Sequence, residues 1–301
     1  MYDVIIIGSG PAGVTAGIFA VRRNLKTLIL SDPKELSLAE EATIVDDWPG
    51  DPEIHGMELV KKFRDHAKKL GVEFKEEKVT EIARSGKAFS IKAGEKAFSG
   101  RVVIVATGAK HRKGLVKGED EFSGKGVSYC ASCDAPLYRG KKVLVLGGGD
   151  TAVSYALLLE QVGADTTLVH RRDELRAAEA WQKKIKKSKV KILWDTVALE
   201  IKGKGKVESA LLFNKKTKEK KEAPADGVFV AFGTVPTSEM ARKAGIKLDE
   251  RGYIEVDRFQ STNVKGLFAA GDCCNNPSKK IVTSAGDGAI AAESAYDYLK
   301  G

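Results

Sequence analysis

Two cysteines two residues apart, in Cys130-Ala131-Ser132-Cys133, are followed at once by Asp134. At a helix start this spacing brings both sulfurs within bonding distance, and the free N–H groups there lower the pKa of one thiol. Such a thiolate attacks another disulfide through a mixed intermediate, and the second cysteine resolves it. Asp134 is placed to move the proton, for which a carboxylic acid needs a raised pKa. The plainer readings are two buried thiols or half a metal site for the pair, and an ordinary helix N-cap for Asp134. The remaining cysteines, Cys273 and Cys274, are adjacent and read as small buried residues beside a loop. Two tight pairs in a chain that starts like a strand do not make a disulfide framework. His55, His66, His111 and His170 lack ligand spacing, so no metal is expected.

A thiol pair of this kind needs an electron source, and two glycine turns provide for one. Val4-Ile5-Ile6-Ile7-Gly8-Ser9-Gly10-Pro11-Ala12-Gly13 recurs weakly as Val143-Leu144-Val145-Leu146-Gly147-Gly148-Gly149-Asp150-Thr151-Ala152. Each copy is an apolar strand running into G-x-G-x-x-G/A, then a helical stretch (14–23 and 153–162), then a strand (27–30 and 166–169). Gly8 and Gly147 allow the tight turn. Gly10 and Gly149 let the backbone approach a pyrophosphate, and the small Gly13 and Ala152 let helix and strand pack closely. The helix starts, at Pro11-Ala12 and Asp150-Thr151, face the phosphates with free N–H groups. The same offset carries Asp32 onto Arg171. An acid at that strand end accepts hydrogen bonds from a free ribose; an arginine suits a ribose 2′-phosphate. The second copy reads His170-Arg171-Arg172, with Arg176 one turn further on. The first copy thus suits FAD or NAD, the second NADPH. The plainer readings are a surface turn before Pro33 and a solvated helix start at the arginines.

The elements that must hold these groups also repeat. The strand ending in Ala106-Thr107-Gly108 echoes Val228 to Phe232 and Gly233, and a third such strand ends in Gly271-Asp272 before a final helix over 282–299. That last strand and helix have no counterpart in the second copy, so they return to the first. The expected fold is α/β, with two Rossmann-like dinucleotide-binding domains, the second inserted into the first. The expected boundaries are 1–112 and 242–301 for an FAD-binding domain, and 113–241 for an NADPH-binding domain carrying the thiol pair.

Composition removes other classes. The 301 residues are 43% hydrophobic, enough for two cores. No run approaches the ~18 apolar residues of a membrane span, and the start lacks a signal pattern, so a cytoplasmic protein is expected. The net charge of +9 comes from lysine runs at 183–191 and 215–221. Aromatics, at 7%, do not interleave with them. This is a solvated face or a docking face for an acidic protein, and nucleic acid is not an expected partner.

Taken together, the pieces resemble the low-molecular-weight thioredoxin reductase family nearly end to end. The motifs carrying the resemblance are Gly8 to Gly13, Trp48-Pro49-Gly50, Ala106-Thr107-Gly108, Cys130 to Asp134, Gly147 to Ala152, His170 to Arg176, Gly271-Asp272 and Thr283-Ser284-Ala285-Gly286. The Cys-x-x-Cys-Asp between the two glycine motifs is the specific element. The resemblance implies a homodimer, FAD in the first domain, NADPH in the second, and a thioredoxin-like protein as the final acceptor. It implies Cys133 as the flavin-proximal sulfur, Cys130 as the attacking one and Asp134 as the acid–base group. It also implies a hinge between two domain states. Three segments depart from the family pattern. Leu36-Ser37-Leu38-Ala39 replaces Gly-Gly-Gln-Leu, Asp46-Asp47 replaces Glu-Asn, and Lys279-Lys280 before Ile281 replaces Arg-Gln. Asp47, Lys280 and Ile281 are thereby implied beside the flavin, where a carboxylate disfavours and a lysine favours its anionic reduced form. Two other readings compete: a flavin-dependent disulfide reductase fed by ferredoxin or reduced deazaflavin, or a small-molecule dithiol oxidase. The arginine cluster argues against both. A non-catalytic redox-sensing nucleotide-binding protein is the reading from another class.

Overall fold

The four aliphatic residues Val4 to Ile7 offer no polar side, and all four are buried. They form most of β1 (Tyr2–Ile7), and a strand covered on both faces belongs in a parallel sheet. The first glycine turn leads into α1 (Pro11–Arg22) and back to β2 (Thr27–Ser31), which pairs parallel with β1. α2 (Leu38–Glu41), α3 (Gly56–Lys69) and β3 (Glu73–Glu76) follow. β4 (Val79–Ser85), β5 (Ala88–Ala93) and β6 (Lys96–Val105) form an antiparallel meander. The far half of β6 runs parallel to β1, with Val102 beside Val4. The computed structural model describes residues 1–42 and 44–301.

β7 (Ala109–His111) leads into a second unit. There β8 (Val127–Ser128) and the short α4 (Ala131–Asp134) precede β9 (Lys142–Gly147), α5 (Asp150–Gln161) and β10 (Asp165–Val169). After α6 (Glu179–Lys186) and β11 (Lys191–Leu193) come three antiparallel strands, β12 (Thr196–Lys202), β13 (Ser209–Asn214) and β14 (Lys220–Pro224). β15 (Gly227–Ala231) then completes a parallel sheet of order β11-β10-β9-β15-β8. Both lysine runs are exposed on this unit.

β16 (Thr234–Pro236) pairs with β7 and returns the chain to the first unit. α7 (Glu239–Lys243), β17 (Leu267–Ala269) and α8 (Ile281–Lys300) complete it. β17 lies parallel to β6, and alanines of α8 and α1 share one core. The compact units are Met1–Glu40, Val45–Lys110 and Val235–Gly301, and Glu41–Ile44 with His111–Thr234. The return at Val235 precedes the expected 242, because Ala241 and Ile246 pack into the first unit's core. Glu41–Ile44 grouping with the second unit was not expected either; its contacts are with His111 and Ser132. In each sheet the central strand, β1 or β9, has an early strand on one side and a late strand on the other. Strand order reverses there, and ligand crevices of α/β sheets open at the carboxyl ends of such strands. Among the described residues, no helix is long and apolar enough to cross a membrane.

Candidate active site

In the first unit, Gly8 has φ +111°, and a Cβ there would lie 2.2 Å from the Ala106 carbonyl oxygen. A Cβ on Gly13 would lie 1.9 Å from the Gly8 oxygen. Strand, turn and helix therefore pack at backbone distance, which only glycine permits. Gly10 is the N-cap of α1, and no side chain caps the helix. The orphan N–H groups of its first turn are thus left for an anion. Arg64, from α3, fixes the turn. Its guanidinium donates to the Ser9 carbonyl at 3.2 Å and the Ser9 hydroxyl at 2.9 Å. The same group pairs at 2.8 Å with Glu40, whose side chain is only 3% exposed. Glu40 also accepts from the Ser37 N–H and hydroxyl. Sequence reasoning missed both residues, although Ser37-x-x-Glu40 is a legible capping box.

Asp32 stands one residue beyond β2, where the sequence placed it. Its carboxylate accepts from the Lys34 N–H at 3.0 Å and pairs with Lys78 at 2.9 Å. The Lys34 N–H and then Lys78 hold this carboxyl below the usual range, so it stays an ionised acceptor.

The returning loop closes on the same turn. A Cβ on Gly271 (φ +81°) would lie 2.8 Å from the Ala12 Cβ, and one on Gly288 would lie 2.1 Å from the Ala12 oxygen. Asp272 accepts from the Ser284 hydroxyl at 2.9 Å, and burial pushes its carboxyl up. Asp287 accepts from the Gly271 N–H and from Asn276, and burial raises it too. Gly288 and Asp287 were not singled out from sequence; the signal was their place two turns into the last helix. Thr107 donates to the Thr237 carbonyl, and Gly108 (φ +63°) accepts from the Thr237 N–H. Ile281 opens α8 and Lys280 is its N-cap. Lys280 pairs with Asp47 at 3.0 Å, so two of the departures from the family pattern meet as one ion pair. Trp48 beside it packs on Phe63, with centroids 4.9 Å apart. Cys273 and Cys274 are fully buried free thiols with sulfurs 3.9 Å apart, adjoining the Gly271-Asp272 turn. The neighbouring Cys273 sulfur, and then burial, push the Cys274 thiol up.

The second unit repeats the cradle. A Cβ on Gly147 would lie 2.6 Å from the Ala231 oxygen and 2.8 Å from the Ala152 Cβ. Gly149 is the N-cap of α5, again without a side-chain cap and with open space beside it. Thr151 lies exposed in the first turn, while the Asp150 carboxylate accepts from the Ala178 N–H at 2.7 Å. Gly233 (φ +87°) follows β15, and its carbonyl accepts from the Arg112 N–H. His170 lies against the glycine turn. Its ring is buried against Gly148, with Nδ1 3.0 Å from the Gly147 oxygen and Nε2 2.9 Å from the Glu174 oxygen. Burial, then the nearby Arg176 and Arg171, push its pKa down against the opposing pull of the two carbonyls, and the buried ring braces the glycine turn. Arg171, Arg172 and Arg176 are exposed, and none forms an ion pair among the described residues. The Arg176 N–H donates to the Gly148 oxygen, tying the arginines to the glycine turn.

In the same unit Cys130 and Cys133 form a disulfide, with Cα atoms 5.4 Å apart. Cys130 is the N-cap of α4, and its sulfur accepts from the Cys133 N–H at 3.2 Å. Cys130 is half-buried and Cys133 exposed. The Ser128 hydroxyl holds the Cys130 N–H, and the Ser132 hydroxyl lies 3.2 Å from the Cys130 sulfur. Ser132 also bonds the Glu41 carbonyl, and Glu41 pairs with His111 at 2.5 Å. Asp134 is half-buried at the end of α4, with its N–H on the Cys130 carbonyl. Its charge helps to raise the Tyr138 phenol, after burial.

Two uncapped helix starts over glycine turns and a disulfide beside one of them define a nucleotide-using disulfide oxidoreductase. The model of the family described as pyridine nucleotide-disulphide oxidoreductase matches residues 2–288. A thioredoxin reductase of Bacillus subtilis is 41% identical over 100% of this chain and 95% of its own. The solved thioredoxin reductase of Lactococcus lactis, 40% identical, superposes with a TM-score of 0.95 over 100% of this chain and 99% of its own. That of T. acidophilum, 34% identical, gives the same score over 100% of this chain and 99% of its own. The chain belongs to the pyridine nucleotide-disulphide oxidoreductases and, within them, to the thioredoxin reductase family. It is an oxidoreductase whose cofactors are FAD and NADPH.

Proposed function

We propose that this protein reduces the disulfide of a thioredoxin-like protein with electrons from NADPH, through FAD and the Cys130–Cys133 pair. The observation that carries the reading is the Cys130–Cys133 disulfide at a helix N-cap, in the same unit as three arginines that form no ion pair among the described residues. The first unit is the FAD domain. Gly8, Gly10, Ala12 and Gly13 bring backbone N–H groups to the pyrophosphate, Pro11 opens the helix at a position that needs no N–H partner, and Asp32 accepts from the adenosine ribose. Thr107, Gly108, Gly271, Asp272 and Ile281 line the remaining cleft, and Asp47 with Lys280 closes its rim. Bound there, FAD supplies the two-electron relay between nicotinamide and disulfide. The second unit is the NADPH domain. Gly147, Gly149, Asp150, Thr151 and Ala152 hold the pyrophosphate by their backbone, with Gly233 beside it, and Arg171, Arg172 and Arg176 take the 2′-phosphate.

The chain's own chemistry is thiol exchange. Two electrons open Cys130–Cys133 to a dithiol, and the α4 N-terminus favours the Cys130 thiolate. That thiolate attacks the partner's disulfide, forming a mixed disulfide and releasing one partner thiolate. Cys133 attacks the Cys130 sulfur, the Cys130–Cys133 disulfide re-forms, and the partner leaves as a dithiol. Asp134 carries the proton to the departing thiolate. The functional unit is a cytoplasmic homodimer, a reading supported by the family resemblance. Anaerobic titration of the purified yellow protein tests the donor. Rapid bleaching of the flavin by NADPH, and much slower bleaching by NADH, is expected. No bleaching by either, with FAD bound, removes NADPH as the donor and turns the search to ferredoxin or reduced deazaflavin.

A further inference from the structure

The arginine segment is joined to a hairpin that comes from elsewhere in the second unit. The Asp195 N–H donates to the Arg172 carbonyl at 3.1 Å, and the Lys215 N–H donates to the Asp195 carbonyl at 2.7 Å. Asn214, at the end of β13, anchors the corner. Its amide nitrogen donates to the Trp194 carbonyl, while its amide oxygen accepts from the Lys216 and Thr217 N–H groups. The turn between β13 and β14 is thus tied by backbone bonds, through Asp195, to Arg172. From it the Lys215 ammonium reaches back and donates to the Arg171 carbonyl at 3.1 Å. An ammonium has three N–H donors, and this contact occupies one. Lys215 forms no ion pair among the described residues, nor do Arg171, Arg172 and Arg176. Four basic residues thus stand on two hydrogen-bonded segments without an ion-pair partner among the described residues, and a bound dianion would supply one.

We propose that Lys215 is a further specificity residue of the nucleotide site, donating from its remaining N–H groups to the ribose 2′-phosphate beside the arginines. The inference rests on the NADPH reading above. It separates a lysine with a task from its neighbours in the same run: Lys216 and Lys218 share the turn and the charge but make no side-chain bond to the arginine segment among the described residues.

Calorimetric binding of 2′,5′-ADP and of 5′-AMP to the holoenzyme tests it, with no turnover required. Lys215→Gln is expected to weaken 2′,5′-ADP about tenfold, the loss of one charge-assisted hydrogen bond, and to leave 5′-AMP within about twofold. Lys215→Arg should keep most of the 2′,5′-ADP affinity, and Lys216→Gln should change neither ligand. Equal weakening by Lys215→Gln and Lys216→Gln would mean a diffuse field and overturn the proposal; so would a Lys215→Gln variant that binds 2′,5′-ADP like wild type. If wild type itself binds the two nucleotides equally, the NADPH reading fails first and Lys215 with it.

Discussion

Replacing Arg64 with methionine, which keeps the apolar stem and removes the cation, tests how the first glycine turn is held. The guanidinium makes contacts of 2.8 and 3.2 Å to Glu40 and of 3.2 and 2.9 Å to Ser9. The Glu40 side chain is 3% exposed, so its charge is buried, while Arg64 at 30% is partly wet. Breaking a buried pair from one side costs about 3–5 kcal/mol. Two moderating facts apply: Ser37 still donates twice to the carboxylate, and water can enter where Arg64 meets solvent. The expected loss is therefore about 2–3 kcal/mol, or a fall in Tm of about 5–10 °C for a domain of this size. FAD should also bind about tenfold more weakly, because the freed Ser9 must be ordered again. Thermal unfolding of the flavin-free protein by circular dichroism, with FAD titration by fluorescence, reads both effects. Glu40→Gln removes the buried charge, so adding it to Arg64→Met should recover about 1–3 kcal/mol relative to the sum of the singles. A variant that melts with wild type and binds FAD normally, or a double variant that is simply additive, would refute the reasoning.

Other perturbations follow from the same geometry. Gly288→Ala would place a methyl 2.1 Å from the Ala12 oxygen, so α8 must move off α1. A loss of about 1–3 kcal/mol and of bound FAD is expected, read from the melting point and the flavin-to-protein absorbance ratio. Gly286→Ala, whose new methyl meets nothing within 4 Å beyond its own helix backbone and chain neighbours, is the control for the flavin-free melting point and should be neutral or stabilising by up to about 1 kcal/mol. Cys133→Ser should abolish turnover with thioredoxin while NADPH still bleaches the flavin; residual multiple turnover would remove Cys133 from the relay. Arg171→Gln with Arg176→Gln should raise the KM for NADPH by about 10–100-fold and leave that for NADH nearly unchanged. Asp32 has a folded pKa below its unfolded one, so its contribution is fully present above the unfolded value and is lost as pH falls through the folded one. Lys78→Met should lower stability at neutral pH and flatten the acid limb below about pH 4, checked by urea unfolding across pH. An unchanged acid limb would show that the ion pair is solvent-screened.

The parts of this protein that act within a few residues of one another were legible in the sequence. An apolar run followed by spaced glycines dictates a buried strand, a tight turn and an uncapped helix start, because backbone sterics and orphan N–H groups are local facts. A Cys-x-x-Cys at a helix start brings two sulfurs within bonding distance for the same reason, and Cys130 and Cys133 form a disulfide. What depends on residues far apart in the chain was decided by the tertiary structure. His170 read as part of the NADPH site, and packing sets its ring against Gly148. Asp47 and Lys280 read as opposed charges and meet as a pair. Arg64 fixes Ser9 from another helix, Gly288 admits the Ala12 carbonyl, and Lys215 arrives at Arg171 from a hairpin. Periodicity and spacing describe what a segment does with its own backbone. They do not determine which distant side chain will be buried against it, since that depends on how helices and strands close-pack once the sheets have formed.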